Sequence, residues 1–234
     1  MLSAAVFRRS NEGTAVSALK TARMQLGWAD GKPFHFSAMK HDQRLALLSE
    51  VAKLGFRTVS IISYKPDIPD PERFQANKWL LYRYLTRLLI ERVSWLCRDS
   101  HRPDDGDGTV EMIFSDRAAM SYEDIRSYIK RLEQQANAGA GINIHWPAVD
   151  ISKLRAVSHS KLAGLQIADA VATSYFYAVR LGRYGVADPS YMRMLKAQAY
   201  RHRKSVFGYG VKFLSPHQSL KDRMPHVGAA FEDW

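Results

Sequence analysis

The sequence predicts a mixed α/β fold, a mixed sheet with helices packed on its faces. Three observations predict it. Short apolar or β-branched runs alternate with longer stretches whose apolar residues recur at helical spacing, turn-forming clusters separate the two kinds of segment, and the composition is globular, 46% hydrophobic and 24% charged over 234 residues. A chain of this length buries roughly 70% of its unfolded surface. One domain over 1–234 is expected, with a basic C-terminal extension from about residue 181.

The first strand is Ser3 to Arg8, an apolar run ended by the turn cluster Ser10-Asn11-Glu12-Gly13. A helix follows from about Thr14 to Leu26, and a short extended piece is expected at Phe34-His35-Phe36. His41 to Leu54 places Leu47, Leu48, Val51 and Leu54 on one helical face, with Gly55 as the stop. Thr58 to Tyr64, TVSIISY, is β-branched and mostly apolar, as a strand covered on both faces would be. Pro69 and Pro71 precede a long helix from Phe74 to about Cys97 that carries Leu81, Leu85, Leu88 and Leu89.

The segment Pro103 to Gly108 is a turn, after which Thr109 to Ser115 is a second central strand ending at Asp116. Ser121-x-x-Asp124 resembles a capping box and starts a helix that runs to about Ala138. The tract Ala138-Gly139-Ala140-Gly141 ends that helix, and Ile142 to His145 and Lys153 to Val157 are expected as short strands before a core helix from Leu162. Past Arg180 the pattern weakens into a basic tail containing Arg201, His202, Arg203, Lys204, Lys212, Lys221 and Arg223.

Against 34 Lys and Arg stand 23 Asp and Glu, a net charge of +11, and this excess favours polyanionic partners such as nucleic acid. The only cysteine, Cys97, has no partner for an intramolecular disulfide, and the N-terminal arginines follow an apolar run, the reverse of a secretory signal. A reduced, cytoplasmic compartment is expected. Leu162 to Val179 carries one charge, but Gly164, Gln166, Asp169, Thr173 and Ser174 make it too polar for lipid, so no membrane partner is expected. No Gly-rich phosphate loop, Ser-His-Asp elbow or cysteine nucleophile is visible.

Asp169 is the most informative residue, the only formal charge between Lys161 and Arg180 on a helix otherwise suited to a core. An unpaired buried charge costs several kcal/mol, so the group must be protonated, paired or bound to a cation. Gln166 and Thr173 share its helical face and could aim hydrogen bonds at the same point. The alternative is a cap or salt bridge to a distant loop. Asp116 closes a strand, and ligands of α/β sheets bind beyond the carboxyl ends of strands; the alternative is a turn residue bonding the following backbone. Brought together, the two carboxylates could hold Mg²⁺, which takes oxygen ligands and keeps several waters.

Other groups carry weaker signals. Arg83 and Arg87 on the long helix, with Arg201, Arg203 and Lys204 in the tail, could contact phosphates, or form a solvated basic face. The tail aromatics Tyr200, Phe207, Tyr209 and Phe213 permit base stacking or packing on the domain. His35, His41 and Asp42 fit no standard metal spacing, and hydrogen-bonded histidines are the plainer reading. Asp105-x-Asp107 has Val110 where a calcium loop needs glycine, so a plain turn is expected.

The stretch VSHSKLAGLQIADAVA, with Ser160, Gln166, Ala168 and Asp169, resembles the C-terminal signature of the family catalogued as domain of unknown function 3800. VEMIFSDRA resembles that family's middle strand ending in Asp116, and KPFHFSAMKHDQR the segment that carries His35. The resemblance implies a ribonuclease-H-like fold with a nuclease-like site, in which Asp116 and Asp169 coordinate Mg²⁺ or Mn²⁺ for phosphodiester hydrolysis. Ser160, Gln166, Thr173 and His35 are its supporting residues. Members open with a strand bearing Asp-Glu-Ser-Gly; no such motif precedes Ser3, so two expectations stand, a start placed too late or a protein without that first strand and its carboxylate. The competing expectation is a noncatalytic nucleic-acid-binding or scaffold protein of the same fold.

Overall fold

The computed structural model describes residues 1–64, 68, 71–76, 79–102, 106–116, 121–215, 222 and 224–234. Pro69, Pro103, Asp104, Asp105, Lys221 and Arg223 lie outside the described residues. Along the chain run β1 (Leu2–Phe7), α1 (Glu12–Gln25), α2 (His41–Val51), β2 (Phe56–Ile62), α3 (Pro71–Ala76), α4 (Leu80–Ser100), β3 (Ile113–Ser115), α5 (Tyr122–Asn137), β4 (Arg155–Val157), α6 (Ala163–Val179), α7 (Ser190–Met194), β5 (Val211–Phe213) and α8 (Pro225–Ala230). The fold is mixed α/β, and its contacts group into two compact units, one of residues 1–68 with 160–234, the other of residues 69–159.

The first unit is built on a mixed sheet in the order β1-β2-β5. β2 is its middle strand, antiparallel to β1 from Leu2↔Ile61 to Phe7↔Phe56 and parallel to β5 from Ser60↔Val211 to Ile62↔Phe213. Thr58 to Ile62 are all buried, as expected for a strand covered on both faces. Ser60 is tolerated there because its hydroxyl pairs with that of Ser3 at 2.8 Å.

α6 packs against β1, α1 and α7, burying Leu165, Ile167, Ala170, Val171, Tyr175 and Ala178. Sequence periodicity placed the chain after Arg180 in a loose tail, but Tyr191, Met192, Val206, Val211, Phe213, Val227 and Phe231 belong to the same core. Their elements are too short to show a period, and the long-range pairing of β5 with β2 leaves no local trace.

The second unit packs α4 and α5 with a parallel pair, β3 and β4, in register from Ile113↔Arg155 to Ser115↔Val157. Its core is Ile90, Met112, Ile125, Ile129, Leu132, Ile144 and Leu154. The Ser121 hydroxyl accepts the Asp124 N–H at 3.2 Å, so the N-cap expected from sequence starts α5. The helix expected without a break from Phe74 is two helices, α3 and α4, with Trp79 as the residue before the second.

Ile142 to His145 is not a strand. Its Asn143 N–H goes to Glu91 Oε1 at 3.2 Å and its His145 N–H to Ser94 Oγ at 2.9 Å, both on α4, and Trp95 Nε1 donates to the Asn143 carbonyl at 2.6 Å. Side chains of the helix satisfy groups that a ladder would otherwise have used. Among the described residues no helix is long and apolar enough to cross a membrane.

Candidate functional site

Asp169 stands on α6 with Gln166 one turn earlier, and both face the segment at residues 34–36. That segment belongs to no sheet, so its backbone donors need acceptors elsewhere. Gln166, buried, accepts the Phe34 N–H through Oε1 at 2.9 Å and donates through Nε2 to the Ser160 carbonyl at 3.4 Å. Asp169 Oδ2 accepts the Phe36 N–H at 3.1 Å. His35 is extended between them, so Phe34 and Phe36 go into the core while the His35 side chain is exposed.

This arrangement corrects the expectation that Gln166 and Thr173 would aim hydrogen bonds at the same point as Asp169. Gln166 and Asp169 each serve a different backbone N–H, and Thr173 is half-buried on the next turn. Asp169 itself is half-buried rather than enclosed in the core. The sequence missed this because a helical apolar pattern counts neighbours along the helix and is blind to an irregular segment laid across it. Neither reading of Asp169 named this contact, a hydrogen bond from the backbone N–H of a segment far away in the chain.

The same segment is also held by Arg44 of α2. Its Nε donates to the Phe36 carbonyl at 2.9 Å, and Nη2 donates to the Ser37 carbonyl at 2.9 Å and to Tyr177 Oη at 3.0 Å. His41 Nδ1 lies 2.6 Å from Tyr191 Oη, and Arg44 Nη1 donates to that oxygen at 3.5 Å. The Arg44 guanidinium also lies over the Tyr177 and Phe36 rings, at 4.6 and 5.7 Å from their centroids. His41 is thus a hydrogen-bonded histidine. Sequence reasoning missed Arg44, Tyr177 and Tyr191; the placement of His41 and Arg44 three apart on a helix was the available signal.

Asp116 follows β3 in the second unit. Its N–H donates to the Val157 carbonyl at 2.9 Å, carrying the ladder one residue past the strand, and its side chain is exposed. Tyr122 Oη donates to the preceding carbonyl, that of Ser115, at 2.6 Å. Asp116 and Asp169 belong to different units. Among the described residues no three His, Cys, Asp or Glu side chains gather into a metal-holding group. Magnesium can be held by one or two carboxylates with waters and substrate phosphates completing the shell. Asp116 and the Oδ1 of Asp169 are oxygen donors of that kind, each within its own unit.

Arg83 and Arg87 are committed within their own unit, Arg83 to Asp124 at 3.5 Å and Arg87 to Glu91 at 3.8 Å and the Gly141 carbonyl at 3.2 Å. Both are half-buried. Asp107 is a turn residue: the hydroxyl and N–H of Thr109 hold its carboxyl down to about 2. Burial pushes the Cys97 thiol up to about 11, so it stays protonated near neutral pH and is a poor nucleophile.

The tail bases occupy a two-residue hairpin. His202 N–H donates to the Ser205 carbonyl at 3.0 Å, the return bond is 2.9 Å, and Arg203 and Lys204 lie between at φ of 47° and 72°. Both side chains are exposed and Arg201 is half-buried. Behind the tip, the His202 ring stacks on Tyr209 at 4.9 Å and Tyr200 meets Tyr209 edge-on at 5.8 Å. A Cβ at Gly210 would collide with the Tyr200 backbone, so glycine lets the two segments approach. Tyr200 and Phe213 are buried, and Phe207 packs on Phe231 at 5.9 Å, so these aromatics pack on their own unit.

No model of a known protein family, no curated protein and no solved structure matches the chain.

Proposed function

We propose that this chain binds nucleic acid through the phosphate backbone, with the hairpin tip Arg203-Lys204 as a principal contact. The observation that carries the reading is conformational. A primed two-residue turn favours Asn-Gly, whereas two long cations here occupy left-handed backbone at a cost on the order of 1–2 kcal/mol each. Strain of that kind persists where the residues are used, and two adjacent exposed cations at a tip suit a polyanion. The net charge of +11 supplies the long-range attraction.

The test replaces the turn without removing it. Arg203→Asn with Lys204→Gly is expected to keep or raise the melting temperature, to weaken binding to duplex DNA or RNA, and to lower the slope of log affinity against log salt by about 2. Unchanged affinity and slope would remove the tip from the binding surface.

A second reading adds cleavage of phosphodiester bonds with Mg²⁺ or Mn²⁺ on a ribonuclease-H-like fold, with Asp116 in the second unit and Asp169 in the first each a candidate carboxylate. It is supported by the exposed carboxylate at the carboxyl end of β3 and by the S-x-x-x-x-L-Q-x-A-D pattern from Ser160 to Asp169. Purified protein incubated with single- and double-stranded DNA and RNA and either ion decides it. Cleavage lost in both Asp116→Asn and Asp169→Asn supports the reading. Binding without cleavage under either ion leaves a noncatalytic binding protein.

A further inference from the structure

Among the described residues, the aromatic most open to solvent lies outside the hairpin, in a loop that sequence reasoning passed over. α6 ends at Val179, and the next six residues, Arg180-Leu181-Gly182-Arg183-Tyr184-Gly185, lead to Val186. The Gly182 N–H donates to the Val186 carbonyl at 2.9 Å and the Gly185 N–H to the Gly182 carbonyl at 3.0 Å, closing a tight loop. Gly185 takes φ of 72°, and a Cβ at Gly182 would sit 3.2 Å from the Val186 carbonyl oxygen, so both glycines serve the closure. Beyond it, the Asp188 N–H donates to the Tyr177 carbonyl at 2.9 Å, anchoring the return to α6.

The tip of this anchored loop is Tyr184, 87% exposed. Arg183 beside it is exposed, and so is Arg180, whose guanidinium lies 5.2 Å from the centroid of the Phe176 ring. Asp188, the nearest acid in sequence, is occupied in accepting from the Ser190 hydroxyl and N–H. An aromatic ring held away from its own core, with two cations within four residues, combines the two contacts used on unpaired nucleotides: a face for a base and charge for its phosphate. Bases in a duplex are already stacked, so the geometry selects an open strand.

We infer that the 180–186 loop is a stacking finger for single-stranded nucleic acid, with Tyr184 taking a base and Arg180 and Arg183 the flanking phosphates. The inference rests on the nucleic-acid reading above and assigns it a second contact of different chemistry.

The test measures anisotropy of a labelled single-stranded oligonucleotide and of its duplex with the full chain and with Tyr184→Ala and Tyr184→Trp. Tyr184→Ala is expected to bind the single strand about tenfold more weakly, with duplex affinity and melting temperature unchanged, because one base–aromatic stack is lost. Tyr184→Trp is expected to keep the affinity and to add a quenched fluorescence signal on single-strand binding. Wild-type affinity in Tyr184→Ala, with duplex binding intact, overturns the stacking finger and leaves the hairpin reading standing. Absence of binding to either oligonucleotide overturns both. Tyr184-dependent binding to phosphatidylglycerol vesicles without single-strand binding would overturn the finger in favour of a lipid surface.

Discussion

The two units solve one problem with the same device, and the comparison explains what Asp169 is for. In the first, Gln166 and Asp169, three apart on α6, accept the N–H groups of Phe34 and Phe36. In the second, Glu91 and Ser94, three apart on α4, accept those of Asn143 and His145. Three helical residues advance about 4.5 Å and two extended residues about 6.6 Å, a mismatch that side chains of these lengths absorb. Each helix therefore stitches an irregular segment to itself. The difference is burial: Glu91 is 5% exposed and lies 3.2 Å from the buried Arg92, whereas Asp169 is half-buried. The acid that most needed a partner was Glu91, and it has one.

The sharpest way to break the comparison is to break that pair. Burial lowers the Arg92 guanidinium from its ordinary value and Glu91 raises it, so the pair holds a charge the surroundings disfavour. Glu91→Gln should cost about 3 kcal/mol in urea unfolding, since it leaves a buried cation uncompensated. Adding Arg92→Met should recover most of that loss. A loss in Glu91→Gln below about 1 kcal/mol would mean that the pair contributes no more than a surface one.

The corresponding position in the first unit carries no charge, and a smaller effect follows. Gln166→Ala strands the Phe34 N–H and should cost about 2 kcal/mol, the penalty of a buried donor without an acceptor. Hydrogen exchange at Phe34 should accelerate in the same variant while exchange in β2 is unchanged, which separates local release of the segment from global unfolding. Acceleration across both would mean that the segment is part of the core's cooperative unit.

What was legible in the sequence tracks what is local. The β-branched run around Thr58 to Ile62, the Ser121 cap and the α6 helix each carry their signal within a few residues. The pairing of β5 with β2 and the two stitched segments depend on partners more than fifty residues away, and no period reports them. Ile142 to His145 looked like a strand because alternation records which side chains are buried, and an extended segment bonded to a helix alternates in the same way. Arg203 and Lys204 were found as charges, but nothing in their identity signals left-handed backbone, which residue preferences assign to Asn and Gly. Asp169 was expected to be enclosed and in need of a partner; it is half-buried, and the group it bonds is a backbone N–H, which no sequence motif names.

Asp169→Asn is expected to have the smallest effect of the three, and for that reason it discriminates best. The amide keeps an oxygen that can accept the Phe36 N–H, so only the strengthening due to the charge is lost, about 0.5–1 kcal/mol. If the carboxylate only holds the segment, added Mg²⁺ or Mn²⁺ should move the melting temperature of wild type and variant alike. A stabilisation by either ion that vanishes in Asp169→Asn would mean that Oδ1 binds the cation, because the variant keeps the acceptor and loses the charge. The stitching role would then be shared with a metal-binding one, and cleavage through this acid would become the stronger reading.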